Sequence, residues 1–322
     1  MTMNEDQKRR TSKTGSLRPE LSRNFVIPNG TQVVLTKGRA VAGENEPLFK
    51  KPGAVGVVVK CPPNNEGDYV VQFADGDQVE ASFDDLVLRR QEIDLQLAEI
   101  PEFEPQVIFR CQTGSKAYGL SHEASDDDYR GIFIPPADVH WSLFDVPRQL
   151  EFTDGHDEVY FEIERFLKLA LKANPNILEM LWTPMVLYAS PLGERLLEIR
   201  EAFLSKHVYK TYSGYVLSQF RKMRNQFVKT GDFKPKHAMH LIRLQHSGIA
   251  ALKTGQVMVE VNDLQPLLMS IRNGEIDFET VRQMAINLDA SLQKEFEQTD
   301  LPEQPDFATV NAFLIEARRS QV

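Results

Sequence analysis

Apolar and polar positions change period along this chain. From Phe25 to about Arg90 the apolar residues come in short, often β-branched runs, Gln32–Thr36, Ala54–Lys60, Tyr69–Ala74 and Gln78–Phe83, broken by Gly, Pro, Asn and Asp. That is strand patterning, and Asp75-Gly76 between the last two runs is a hairpin signal. Short strands at this spacing predict a small SH3-like β-barrel over residues 25–90. Leu95 to Pro105 reads as a connector. Beyond it Val107–Gln112 predicts a strand, Gly114–Leu120 a tight turn opening a short helix, and Tyr129–Ile134 a second strand. A third strand, Glu158–Glu162, runs into a helical pattern through Lys172, where Phe166, Leu169 and Ala170 recur at i, i+3 and i+4. After Pro191 the period is mostly helical, with helices predicted near 207–228, 236–253, 263–272, 278–296 and 307–318. Ser190-Pro191 forms an N-cap and N1 pair, and Gly255 and Gly274 mark stops. The fold class is therefore α+β. Residues 1–24 are read as a disordered tail, 25–90 as the β module, 91–190 as a mixed α/β domain and 191–322 as a helical domain.

Composition narrows the class. The chain has 322 residues, 42% of them apolar, with two cysteines, Cys61 and Cys111, and a net charge of −9. Two cysteines make no disulfide framework, and no ligand spacing links them. The first two dozen residues are polar and charged, and no apolar run approaches membrane-span length, so a soluble, cytoplasmic protein is expected, with no membrane partner. The overall charge argues against a protein that coats nucleic acid. It is unevenly spread, however. From Lys206 to Thr254 there are ten Lys or Arg against one acid, Asp232. Such a cluster attracts phosphates.

The chemistry concentrates in residues 114–131, Gly-Ser-Lys-Ala-Tyr-Gly-Leu-Ser-His-Glu-Ala-Ser-Asp-Asp-Asp-Tyr-Arg-Gly. Asp126 and Asp128 stand at i and i+2, which on a strand puts both carboxylates on one face, as hard divalent cations require. Gly114 and Ser115 offer backbone N–H groups and a hydroxyl to a phosphate, with no Cβ at Gly114 in the way. Metal and phosphate together point to nucleotide chemistry. Arg130, two residues beyond Asp128, would share the acids' face, and Lys116 could reach a phosphate.

These motifs resemble the nucleotidyltransferase signature of the DNA polymerase β superfamily, in its bacterial and phage branch associated with RNA repair. The resemblance continues through Glu162–Glu179, with Phe-Leu-Lys-Leu-Ala-Leu-Lys-Ala-Asn-Pro-Asn-Ile-Leu-Glu from Phe166, and through Lys236-His237-Ala-Met-His240 with Arg243-Leu244. It implies a polymerase-β-like mixed sheet and transfer of a nucleoside monophosphate from a nucleoside triphosphate to a hydroxyl, with pyrophosphate released. It implies two Mg²⁺ ions, or Mn²⁺ in their place, held by Asp126, Asp128 and a third carboxylate. Asp157 is the choice for that third acid, with Glu158 and Glu162 as rivals. Gly114 and Ser115 would hold the triphosphate. An RNA end is the expected acceptor. Transfer of AMP to a protein acceptor, and a nucleotide-binding regulator or antitoxin-like partner without turnover, stay open beside it.

A second constellation follows Pro235. At 100° per residue Lys236, His240 and Arg243 fall within an arc of about 60°, opposite Ala238, Leu241, Ile242 and Ile249. Without interleaved acids, this stripe reads as a cationic cleft wall gripping phosphates, against the blander alternative of a solvated helix face. His237 and His240, at i and i+3, lack the i, i+4 spacing of a helical metal pair. Asn174 or Asn176 is expected to cap a helix, with Glu179 structural. Trp182, Tyr209, Tyr212 and Tyr215 could stack bases, though core packing suits most of them better.

Overall fold

The computed structural model describes residues 26–41, 49–63, 67–89, 105–122, 125–152 and 157–322. The tail expected over residues 1–24 and nearly all of the connector lie outside the described residues. Those described fall into two compact units, one of residues 26–89 with Trp141–Val146, the other of residues 105–140 and Pro147–Val322.

In the first unit the strands are β1 (Gln32–Leu35), β2 (Arg39–Ala40), β3 (Phe49–Lys50), β4 (Val55–Lys60), β5 (Tyr69–Phe73), β6 (Gln78–Ala81) and β7 (Leu86–Leu88). Five of them form an antiparallel sheet in the order β6-β5-β4-β1-β7, and β2 and β3 pair separately. Alternation along β5 and β6 buries Tyr69, Val71, Val79 and Ala81 against Val33, Leu35 and Val58. Gly76, with φ of +93°, turns the chain between β5 and β6 where the Asp-Gly pair predicts it. The end strands β6 and β7 are not paired with each other among the described residues. The structure thus shows a five-stranded antiparallel sheet over the stretch where strand spacing predicts a small SH3-like β-barrel. Spacing dictates which strands are neighbours, whereas closure depends on tilt and stagger.

The second unit is built on β8 (Gln106–Thr113), β9 (Asp128–Ile134), β10 (Gln149–Phe152), β11 (Asp157–Glu162) and β12 (Val186–Ala189). Their order is β10-β11-β9-β8-β12, with β9 and β11 parallel and the other pairs antiparallel. The helices are α1 (Gly114–Ala117), α2 (Ala137–His140), α3 (Ile163–Leu171), α4 (Pro175–Trp182), α5 (Pro191–Glu198), α6 (His207–Thr230), α7 (Pro235–Thr254), α8 (Gln265–Arg272), α9 (Phe278–Gln298) and α10 (Phe307–Arg319). Local chemistry sets several of their ends. Asn174 caps α4 by accepting from the Asn176 N–H at 3.1 Å, with Pro175 at N1. Ser190 caps α5, and Gly255, at φ of +67°, ends α7.

Near-continuous apolar runs in β8 and β9 bury Ile108, Phe109, Ile132 and Ile134 in one core with Ile163, Phe166 and Ala170 of α3 and Ile177 and Leu178 of α4. Each Ile, Leu or Phe among them contributes about 1.5–3 kcal/mol on burial. That core runs on without interruption into Leu241, Ile242, Leu268 and Leu292 of the later helices. It is continuous across residue 190. Helix α7 is its axis, packed by α6, α8 and α9.

Candidate active site

The sheet brings the end of β8 and the starts of β9 and β11 to one edge. Thr113 lies opposite Asp128, and Asp128 lies opposite Asp157 across the parallel pair. Residues in register project to the same face, so the two aspartates stand side by side. Strand β9 begins at Asp128, and Asp126 sits before it, exposed and outside the strand. The strand therefore opens on the second acid of the Asp-x-Asp rather than the first. The Asp128 carboxyl is held above its ordinary pKa, chiefly by burial. Asp157 and Asp126 add to that rise, and Arg130 and Lys236 oppose it. Asp126, Asp157 and Lys236 thus all act on Asp128.

Gly114 is required here twice over. Its φ of +71° lies in the left-handed region, and a Cβ on it would stand 2.0 Å from Asp128 Oδ2. Any side chain at 114 would push the aspartate away. After Gly114 the chain closes into α1, with the Leu120 N–H donating to the Ser115 carbonyl at 2.8 Å. Three later groups pin this turn from outside. The Val261 N–H donates to the Tyr118 carbonyl at 3.1 Å, Gln265 Nε2 to the Gly119 carbonyl at 2.7 Å, and Arg272 Nη1 to the Leu120 carbonyl at 2.6 Å. The Ser115 hydroxyl is half-buried and takes no partner among the described residues.

The rivals for the third acid are engaged elsewhere. Glu158 points to the opposite face from Asp157, pairs with Arg110 at 2.8 Å and accepts from the Tyr160 hydroxyl at 2.7 Å. Glu162 is buried, caps α3 by accepting from the Arg165 N–H, and pairs with Arg318 of α10. Asp157 is the acid placed beside Asp128, but its carboxylate is paired with Arg130 at 3.0 Å. Among the described residues no three His, Cys, Asp or Glu side chains close on a point that could hold a metal ion. Lys116 turns to Asp127 at 2.5 Å, and Gln112 Nε2 also donates to Asp127, at 2.6 Å. Sequence reading passed over that middle acid, and nothing in its local pattern marks it.

The cationic stripe on α7 needs correction. Arg243 is 4% exposed, its Nη1 donates to Glu179 Oε1 at 2.7 Å, and its guanidinium lies 3.6 Å from the centre of the Tyr118 ring. The Tyr118 hydroxyl donates to the other Glu179 oxygen at 2.7 Å. Arg243 therefore cannot grip a phosphate in solvent; it ties α7 and α4 to the turn that follows Gly114. His240 is largely buried and its pKa is pushed down to about 4, first by burial and then by Arg243, Lys236, His237 and Arg272. It is uncharged at neutral pH and adds no positive charge to the cleft. Lys236, at the exposed start of the helix, is the member of the stripe that acts on Asp128. The helical wheel failed because α7 is covered on nearly every side from Ala238 to Leu252, so one arc is no freer than another.

The aromatic residues are accounted for by packing. Tyr212 is fully buried and Tyr209 stacks on Phe296 with ring centres 4.4 Å apart. Trp182 donates to Gln256 at 3.0 Å, and the Tyr215 hydroxyl accepts from Asn174 at 3.1 Å. Cys111 is buried in β8, and burial pushes its thiol up to about 12, so it supplies no nucleophile.

A mixed sheet carrying a glycine-led turn against facing carboxylates, backed by helices, defines a nucleotidyltransferase-like protein of the DNA polymerase β superfamily. The model of the RNA repair pathway DNA polymerase beta family matches residues 89–316, and the chain belongs to that family. It is similar to the uncharacterized protein MJ0002 of Methanocaldococcus jannaschii, 27% identical over 154 residues, which are 46% of this chain and 61% of that one. It is also similar to the uncharacterized protein YcgL of Bacillus subtilis, 30% identical over 142 residues, or 43% of this chain and 53% of the other. A 38.9 kDa protein from the nrdC-mobD intergenic region of Enterobacteria phage T4 is 30% identical over 130 residues, covering 36% of this chain and 38% of the phage protein. The chain thus spans 38 to 61% of the length of these curated relatives. A solved nucleotidyltransferase-like protein from Exiguobacterium sibiricum aligns over 72% of this chain and 78% of its own, at 14% identity and a TM-score of 0.28, too low for that likeness to carry weight.

Proposed function

We propose that the chain transfers a nucleoside monophosphate from a nucleoside triphosphate to a hydroxyl on an RNA end, releasing pyrophosphate. The observation that carries this is the row Thr113, Asp128, Asp157, with Gly114 packed directly against the Asp128 carboxylate. The row sets the turn that opens at Gly114 beside acids that repel one another. Family membership supports the class of reaction, and the acid-poor basic stretch after Lys206 supports a phosphate-rich acceptor.

The donor set suits a hard divalent cation. Asp128 is a partly buried carboxyl whose charge is disfavoured by its setting and by two neighbouring acids, and a divalent ion would relieve that repulsion. Asp126, Asp128 and Asp157 would hold Mg²⁺, with Mn²⁺ as a substitute, once Asp157 exchanges its Arg130 partner for the ion. When bound, such ions neutralise phosphate charge and lower the pKa of an attacking hydroxyl. The protein's own groups do the positioning. Gly114 and Ser115 present the turn's N–H groups and hydroxyl to the triphosphate, and Lys236 supplies positive charge at the mouth. Arg130, released from Asp157, becomes available to a phosphate oxygen.

The test is label transfer. With Mg²⁺ and each labelled nucleoside triphosphate, label moves to an RNA acceptor, and an Asp126→Ala, Asp128→Ala double variant loses at least a hundredfold of rate, on the order expected for lost metal ligation. Transfer surviving in that variant overturns the metal assignment. Label on a protein acceptor and none on RNA replaces the RNA reading with protein AMP transfer.

A further inference from the structure

The second half of α6 carries Arg221, Lys222, Arg224 and Lys229, all exposed, and the following loop adds Lys234. None of the five pairs with an acid among the described residues. At 100° per residue the four on the helix fall within an arc of about 160°, centred away from buried Met223. An ordinary solvated helix face mixes signs and laces its cations with acids at i+3 or i+4. This face does not. Asp232 is the one acid between Lys206 and Thr254, and its Oδ1 accepts from the Phe233 N–H at 2.7 Å. The acids at the start of neighbouring α9 are also engaged, Asp277 by Thr280 and Glu279 by Arg282.

The patch adjoins the helix that is tied to the candidate site. Helices α6 and α7 pack side by side, and Arg243 of α7 donates to Glu179, which also accepts from Tyr118 in the turn that follows Gly114. Lys236 stands exposed at the start of α7. Exposed cations therefore run from the start of the helix bound to that turn onto the open face of α6. Unpaired cations in a row cost a chain of net charge −9 nothing in solubility, but they gain it nothing in stability either.

We propose that Arg221, Lys222, Arg224, Lys229 and Lys234 form a backbone track for a single-stranded polynucleotide whose end is presented at the Asp128–Asp157 row. The track reads phosphates and no base edges, so it selects a polyanion of regular spacing and leaves choice of the end to the site itself. The proposal rests on the nucleotidyl-transfer reading for the role of the bound end, not for the binding.

The experiment is a titration of the full chain into a short, fluorescently labelled single-stranded oligoribonucleotide, followed by anisotropy at several salt concentrations, with chelator and without nucleotide. Five phosphate contacts give a slope of log affinity on log salt of about −3.5. The variant Arg221→Gln, Lys222→Gln, Arg224→Gln, Lys229→Gln flattens that slope and weakens binding roughly a hundredfold at low salt. The variant Lys172→Gln, Lys294→Gln, Arg319→Gln, three exposed cations of the same unit outside the Lys206–Thr254 stretch, leaves both within about twofold. All substituted α6 positions are exposed and unpaired among the described residues, and an unchanged melting temperature verifies folding. Equal losses in the two variants, or an unchanged slope in the first, overturn the track. Displacement of the RNA by polyglutamate at equal charge overturns the polynucleotide in favour of an acidic protein segment. Transfer to RNA by a chain whose slope the α6 variant does not change sinks the track and leaves the proposed reaction standing. RNA bound through α6 by a chain that transfers nothing does the reverse.

Discussion

Asp157, Glu158 and Glu162 are indistinguishable as acids on one short strand, yet the structure separates them by what each touches. Strand periodicity alone removes Glu158, whose side chain leaves by the other face and meets Arg110. Glu162 shares the strand's end with the start of α3, so its carboxylate is consumed as a cap and by Arg318. Asp157 is left next to Asp128 by register, a matter of pairing that no local pattern states. The two acids should therefore fail differently when changed. Asp157→Asn abolishes transfer while shifting the melting temperature little, because its exposed pair with Arg130 is worth about 0–1 kcal/mol. Glu162→Gln costs about 1–3 kcal/mol in denaturant unfolding, because the one remaining side-chain oxygen cannot serve both the Arg165 N–H and the half-buried Arg318 guanidinium, and leaves the residual folded enzyme active. The opposite pattern would make Glu162 the third acid.

Helix α7 shows how an element's burial overrides its sequence pattern. Lys236, His240 and Arg243 share an arc, but the three end in three different states: exposed cation, neutral buried imidazole and buried ion pair. The Arg243–Glu179 pair, with Tyr118 donating to the same carboxylate, connects α7 and α4 to the turn that opens at Gly114. Removing one member strands a charge in the core. Glu179→Ala should cost about 3–5 kcal/mol in equilibrium unfolding. Replacing all three together, Tyr118→Phe, Glu179→Leu and Arg243→Met, should recover most of that loss, since apolar groups of similar volume need no partner. If the recovered protein also keeps its nucleotide affinity, the triad serves stability alone; if affinity falls while stability returns, it positions the turn. The basic residues of α6 behave as the wheel says, because that half of α6 has an open face.

Two separate cores organise the chain as a whole. Val33, Val58, Tyr69 and Val71 belong to the cluster of the first unit, while in the second unit one face of the mixed sheet shares a core with the later helices and Val107, Phe133, Phe152 and Tyr160 form a smaller cluster on its other face. Units with independent cores unfold as independent units unless a large interface couples them. Scanning calorimetry should accordingly resolve two transitions, or one whose van't Hoff enthalpy falls well short of the calorimetric value. A single transition with matching enthalpies would mean that the two units are one cooperative body. Within the second unit the core is continuous across residue 190, because the apolar faces of α5 to α10 pack into the core that the sheet supplies.

Most strands and helices were legible because each is set by nearest neighbours along the chain: apolar period, Asn174-Pro175 and Ser190-Pro191 at helix starts, glycines at 76, 114 and 255 where φ is positive. The family was legible for the same reason, since Gly114, Ser115, Asp126 and Asp128 lie within one stretch whose spacing carries the resemblance. The short edge strands Gln149–Phe152 and Val186–Ala189 were missed, having too little apolar pattern of their own and existing only because β11 and β8 offer them hydrogen-bonding edges. Which acid joins Asp128, which cations face solvent and which are spent in the core depend on partners dozens of residues away. Glu179 meets Arg243 across 64 positions and Glu162 meets Arg318 across 156. Contacts at that range are products of packing, in which desolvation decides whether a charged side chain is a tool or a strut.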